Sequence, residues 1–307
     1  MIDPRILPVP RQPFRLPDMS ESQALSETSD APALHAWHAG LARAVASVGE
    51  VSFVERLAEA LNCLVPVESV MLGLERRGQP PQPLYQRGIV PEHHEGLIER
   101  YYARGYLLDP FCLALEDGLT EGFYPLADIA PDDFFASEYY KTYYLKFGCT
   151  EDCHFIVDLG EARKVSLCLY QGYSGARFSE TQLDLLAGAL PLVRELIRQF
   201  ERSGGLDLLL AGRGEGNGSQ AAQAPLNRHI RAAFMNFGSD RLTEREREIA
   251  HLLLRGHSVK SSARVLDISP ETVRMHRKHL YTKLEINSQA ELFSLFIDWL
   301  TGGVAAA

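Results

Sequence analysis

Residues 269–284 read SPETVRMHRKHLYTKL. Ser269 is placed to cap a helix, Pro270 suits its first position, and Glu271 sits near its positive dipole end. At 100° per residue, with Val273 as origin, Leu280 falls at about −20° and Leu284 at about +20°. Those three define a buried stripe. Arg274 at about 100°, Lys278 at about 140° and Met275 at about 200° then face outward. The segment is basic in a chain whose net charge is −9.

The flanking sequence places this helix third of four. Thr243 and Glu246 have the spacing of a capping box, opening a helix that runs to about Arg255, and Gly256 is positioned to end it. Ser258 caps a second helix to about Leu266. Ser288 with Glu291 opens a fourth through Leu300. A very short turn between the second and third helices is the helix-turn-helix arrangement. An outward face of arginine, lysine and methionine suits a major groove. Arg274 or Lys278 can bond guanine O6 and N7, and Met275 can lie on a thymine methyl. Lys260, Ser269, Thr272 and Lys283 are placed for phosphates. The plainer reading is a solvated basic face, which the four-helix layout disfavours.

Charge supports a division of labour. Residues 240–300 hold ten Lys/Arg and nine Asp/Glu, a net +1, so the remainder carries −10. Only one part of the molecule is suited to approach a polyanion. Five cysteines, an odd number at no framework spacing, fit a reducing cytosol. No window reads as a signal peptide or membrane span, so a soluble cytoplasmic protein is expected.

The C-terminal segment, LTEREREIAHLLLRGHSVKSSARVLDISPETVRMHRKHLYTKLEINSQAEL, resembles the DNA-binding domain of LuxR-type transcriptional regulators over about 60 residues. The resemblance implies a helix-turn-helix that binds double-stranded DNA as a homodimer, with the fourth helix joining the two copies. It also implies base-facing positions for Arg274, Met275 and Lys278. Ser261 and Ser262 depart from the family's usual Glu-Ile, which predicts looser packing of the second helix. Glu285 replaces a common glycine at a left-handed cap. His276 matches a family histidine tucked against the domain.

Upstream, residues 33–202 alternate helical and strand patterns. LHAWHAGLARAVASV and SFVERLAEALNCLV have helical spacing, whereas VESVMLGLE, CHFIVDL and KVSLCLYQ read as strands. SETQLDLLAGALPLVRELIRQF closes the unit as a long helix with a Ser179–Gln182 capping box. The expected fold class is an α+β sensor domain, an antiparallel sheet sandwiched by helices, followed by an all-α four-helix domain. Residues 1–32 read as an arm, 203–239 as a linker with a short helix, 240–301 as the helix-turn-helix domain and 302–307 as a tail.

Three kinds of input are open to the upstream unit. A phosphorylated receiver needs an acidic pair after the first strand, but the only Asp-Asp pair, Asp132–Asp133, lies mid-domain. CTEDCH at 149–154 lacks a second ligand pair for zinc and a base-and-orienter set for a thiol nucleophile, and reads as a turn into a buried strand. The third input is a small-molecule pocket. YYARGYLLDPFCLAL at 101–115 is similar to a tyrosine and Asp-Pro stretch in the autoinducer-binding domains of quorum-sensing LuxR-type regulators. That resemblance implies ligand contacts from Tyr101, Tyr102, Tyr106 and Asp109, with Ser166 at a pocket hydroxyl position. The tryptophan that bonds a lactone carbonyl in that family is Leu97 here, which points away from an acyl-homoserine lactone. The unit as a whole resembles autoinducer-binding or GAF-like folds, and the expected function is a DNA-binding regulator controlled by a small-molecule effector, with no enzyme activity, cofactor or metal. The alternatives are a protein partner as input, or a non-DNA-binding enzyme or ligand-binding protein.

Overall fold

The computed structural model describes residues 31–212 and 236–302. Two helices open it, α1 (Ala31–Ala46) and α2 (Phe53–Leu64). Strands β1 (Ser69–Arg76) and β2 (Gln82–Arg87) follow. Next come α3 (Pro91–His94), which continues through a π turn (Glu95–Arg100) into Tyr101–Ala103, then α4 (Pro110–Glu116), β3 (Gly122–Pro125), α5 (Leu126–Ile129) and α6 (Glu138–Tyr143). Strands β4 (Glu151–Gly160) and β5 (Arg163–Gln171) complete one antiparallel sheet of order β2-β1-β5-β4-β3. Helices α7 (Glu180–Arg202) and α8 (Gly205–Ala211) close the unit.

The two-residue period of the strands divides the sheet chemically. Val70, Leu72 and Leu74 of β1, Cys153, Phe155 and Val157 of β4, and Val165, Leu167 and Leu169 of β5 join α1, α2 and α7 in the main core. The opposite face carries Met71, Glu75, His154, Ser166, Cys168 and Tyr170. Helix α7 starts where its spacing predicts: Gln182 N–H donates to Ser179 Oγ at 3.2 Å, and Ser179 N–H donates to Gln182 Oε1 at 2.9 Å. The predicted linker begins too early. Residues 205–211 are helical, because Leu206 and Leu209 bury into the same core. The short helix expected after the linker falls largely outside the described residues.

The C-terminal unit has four helices: α9 (Glu244–Leu254), α10 (Val259–Leu266), α11 (Pro270–Leu284) and α12 (Gln289–Gly302). Thr243 and Glu246 form the reciprocal capping box. Ser258 and Ser269 each accept from the backbone three residues on, at 3.1 Å. Glu285 adopts the left-handed cap at φ 59°, ψ 38°. The expected loosening at Ser261 and Ser262 does not occur. Both are buried, and Ser261 Oγ bonds His257 Nδ1 at 2.8 Å, so small polar side chains let α10 pack closely.

The two units share a core. Phe111, Leu126, Phe134, Tyr139, Tyr140 and Tyr144 cluster with Ile249, Leu253, Val273 and Phe296. Helix α12 packs on α6. Asp132 takes two bonds from Ser258, the cap of α10: backbone N–H to Oδ1 at 3.0 Å and hydroxyl to Oδ2 at 2.6 Å. Asp133 N–H donates to Gly256 O at 3.0 Å. Phe134 is fully buried here, a side-chain burial of about 1.5–3 kcal/mol.

Gly256 serves this junction twice. Its φ of +89° ends α9, and a Cβ there would lie 2.7 Å from Phe134 Cα. Gly256→Ala is expected to lose more stability in chemical denaturation than Gly118→Ala. Gly118 has φ +98° but open space around it, so it carries backbone strain alone, about 1–2 kcal/mol. Equal losses would refute close docking at Gly256.

Candidate functional site

The sheet face opposite the main core lines a cavity of about 60 Å³, room for a few waters. Strand β1 contributes Ser69, Met71, Gly73 and Glu75, while β4 and β5 contribute His154, Ser166, Cys168 and Tyr170. Tyr101, Tyr102, Asp109 and Cys112 come from the α3–α4 segment, and Tyr139, Tyr143 and Tyr144 from α6 and its end.

Four of the five residues expected at a pocket, Tyr101, Tyr102, Asp109 and Ser166, are therefore brought together. Tyr106 is not. It is buried but lines a neighbouring cavity of about 320 Å³, bounded also by Arg76, Lys164 and Arg255. The helix ends at Ala103 and the chain turns through a 3-10 segment at Gly105–Leu108, so the five-residue spacing from Tyr101 does not keep one face.

Asp109 is extended before Pro110, at φ −67° and ψ 125°, and caps α4. Its Oδ1 accepts from Phe111 N–H at 2.8 Å and Cys112 N–H at 3.0 Å, and Oδ2 accepts from Tyr139 Oη at 3.4 Å. Burial pushes its carboxyl up, the Cys112 amide pulls it down, and the nearby Asp152 charge adds to the rise. Burial, with Asp109 beside them, also raises Tyr101 and Tyr139, so both hydroxyls remain protonated donors. Glu75 is pushed up to about 8 by burial and by the Asp109 charge.

The pattern reading missed a polar relay on the floor. Asp152 Oδ2 lies 3.0 Å from His154 Nε2, and His154 Nδ1 lies 2.9 Å from Ser166 Oγ. Tyr144 Oη donates to the same Asp152 oxygen at 3.3 Å. Burial works against a charged His154, but the adjacent Cys168 and Asp152 outweigh it and hold the ring well above the usual imidazole range. A signal was available: once Ser166 is placed on a pocket face, strand alternation puts Cys168 and Tyr170 beside it. The same alternation breaks up CTEDCH, since Cys153 enters the main core while His154 faces the cavity.

On α11, Val273, Leu280 and Leu284 are buried. Arg274, Met275 and Lys278 are exposed on the other side, Met275 by 46%. Lys260 and Ser269 are exposed and Thr272 is half-buried. Arg274 pairs with Glu271 at 2.8 Å, an exposed contact of little energetic weight. Lys283 differs from expectation. Its ammonium lies 2.7 Å from the buried Glu246 carboxylate, so it ties α11 to the start of α9. Glu246, His276 and His279 bring ligating atoms within 4.8 Å of one another, but Glu246 is already bonded by Lys283 and Thr243.

A sheet-and-helix unit with an internal polar cavity, fused to a helix-turn-helix with an outward cationic face, defines a two-part transcriptional regulator. Residues 240–296 match the family of bacterial regulatory proteins, luxR family. A protein of Aeromonas salmonicida named as an HTH-type transcriptional regulator in the exeN 3′ region is 36% identical over 193 residues, covering 62% of this chain and 94% of that protein. The chain belongs to the luxR family of DNA-binding regulators. Among solved structures, it is similar to the VqsR LBD domain of Pseudomonas aeruginosa, with 28% identity, a TM-score of 0.48, and coverage of 55% of this chain and 98% of that one. It is also similar to Escherichia coli SdiA, with 16% identity, a TM-score of 0.40, and coverage of 88% and 99%. Among the described residues no helix is long and apolar enough to cross a membrane.

Glu75 gives the cavity a pH signature. Its folded value of about 8 lies above its ordinary 4.5, so the folded state holds a proton that the unfolded state has released between those values. That contribution is fully present below about pH 4.5 and is lost as pH rises towards 8. The wild type should lose stability relative to Glu75→Gln across this window, measured by urea denaturation at several pH values. Parallel stability curves would place Glu75 in solvent.

Proposed function

We propose that the chain regulates transcription by seating α11 in the major groove, under the control of a small molecule in the sensor cavity. The observation that carries this reading is the exposed Arg274, Met275 and Lys278 face in a chain of this family. Arg274 and Lys278 read guanine edges and Met275 a thymine methyl. Lys260, Ser269 and Thr272 hold phosphates at helix starts. Lys283 supports recognition chiefly by fixing α11 on Glu246. Two copies of the chain read half-sites about 34–36 Å apart.

The effector is compact and carries an N–H donor for Asp109 Oδ2, which Tyr139 also bonds. Coupling runs through α6. Tyr139 and Tyr144 line the cavity and also belong to the cluster that holds the helix-turn-helix. A ligand that moves these rings shifts α6 and the α12 surface on it, by as much as its affinities for the two arrangements differ. Asp132 completes the device. Its carboxylate occupies the start of α10, a position suited to an anionic phosphate, so docking and DNA compete there.

Arg274→Ala should cost about 1–3 kcal/mol at the cognate site and relax preference at one base pair, measured by gel-shift titration at fixed salt. An equal loss on random DNA would refute base reading by Arg274. Asp132→Ala should tighten binding to all sequences alike, by about 1 kcal/mol or roughly fivefold, because a competing anion is removed from the helix start. Weaker binding to every sequence would mean that the docked arrangement is the DNA-binding one.

A further inference from the structure

Three of the five cysteines, Cys112, Cys149 and Cys168, line the sensor cavity. Their surroundings differ. Cys112 shares a 3.4 Å contact with Tyr101 Oη and faces Asp109. Cys149 donates to Glu151 O at 3.7 Å. Burial pushes both thiols up, which suppresses their thiolates. Cys153 is sealed in the main core, and Cys63 is half-buried elsewhere.

Cys168 alone stands beside an oriented base. Its Sγ lies 3.6 Å from His154 Nδ1 and 3.4 Å from Ser166 Oγ. His154 Nε2 lies 3.0 Å from Asp152 Oδ2, and the imidazole lies flat on Phe111, with centroids 3.5 Å apart and planes at 7°. Asp152 is buried, and its Oδ1 has no hydrogen-bond partner among the described residues. The carboxylate holds hydrogen on Nε2, so Nδ1 is the nitrogen that exchanges a proton with Ser166 and Cys168. Thiol, imidazole and carboxylate thus form a nucleophile, base and orienter set. It opens on a small cavity, and of the two hydroxyl and thiol groups on Nδ1 sulfur is the softer and stronger nucleophile.

We infer that Cys168 is a covalent capture site for compact α,β-unsaturated carbonyl compounds, with His154 as its proton carrier and Asp152 holding the ring. The inference rests on the reading of this cavity as a small-molecule site. Nδ1 takes the thiol proton and sulfur bonds to the β-carbon of the acceptor. The carbon–carbon π bond breaks, and the α-carbon of the resulting enolate receives the proton from His154. No atom leaves and no external oxidant or reductant is consumed.

The test uses the full chain and acrylamide, a small neutral acceptor, with peptide mass mapping of all five cysteines over time. Cys168 is expected to label at least about tenfold faster than the half-buried Cys63. His154→Gln should slow Cys168 at least about tenfold while leaving the Cys63 rate unchanged. Ser166→Ala tests the same point if the histidine variant fails to fold: removing the competing hydroxyl should maintain or raise the Cys168 rate. Labelling of Cys63 or Cys112 ahead of Cys168 would overturn the inference. So would a Cys168 rate indifferent to His154, or one that collapses in Ser166→Ala. DNA titration of the labelled protein separates the two readings. An adduct that leaves DNA binding unchanged counts against ligand control and leaves the capture site standing. No adduct, in a protein whose DNA binding still answers a reversible ligand, overturns the capture site alone.

Discussion

The structure depends on strict alternation along β4 and β5. Cys153, Phe155, Val165, Leu167 and Leu169 face α1, α2 and α7, and their burial fixes the register of the central strands. A slip of one residue would drive His154, Ser166 and Cys168 into that apolar layer and expose the aliphatic set. The same constraint that builds the core therefore gathers the polar side chains onto the other face. There, the helical layer leaves the small polar cavity and, beside it, the larger one that Tyr106 lines. Hydrophobic burial specifies the sheet, and the site is what remains on its reverse.

A buried polar floor is tolerable only when its groups satisfy one another. The relay from Tyr144 through Asp152 and His154 to Ser166 does most of this, and Asp109 is satisfied by the start of α4. Two acids carry the residual cost. Glu75 is pushed up to about 8, towards its neutral form, and Asp152 keeps an oxygen without a partner among the described residues. The residual tension therefore sits on these two acids rather than on the ring of tyrosines.

Legibility in the sequence followed the range of the interactions. Capping boxes at Ser179 and Thr243, the cap at Ser269 and the stripe of Val273, Leu280 and Leu284 are local, and all form as their spacings require. The antiparallel sheet class followed from strand patterns bracketed by helices. Strands β2 and β3 were not readable: one contains Pro83 and the other has only four residues, so neither shows a clean alternation. Asp109 and Ser166 were found through resemblance. Asp152, His154 and Cys168 were not, because their meaning comes from pairing across β4 and β5, where His154 stands opposite Cys168. Tyr106, which the same resemblance implies for the pocket, lines the neighbouring cavity because the helix breaks between it and Tyr101.

The junction between the units packs the cavity's aromatic wall against the helix-turn-helix. Phe134 is the pivot. It is fully buried, its ring lies 6.0 Å from that of Tyr139 and 5.9 Å from that of Tyr144, and its backbone lies against Gly256. Close-packed interiors do not deform gradually, so displacement of either tyrosine has to move Phe134 or be refused. Two residues before Phe134 stands Asp132, whose carboxylate holds the start of α10. The pair seen in sequence as a misplaced acidic dyad is thus a latch. Asp132 bonds the cap of the second helix through its side chain, and Asp133 bonds the end of the first through its backbone. The aromatic wall of the cavity is thus packed directly against the point where the helix-turn-helix is held.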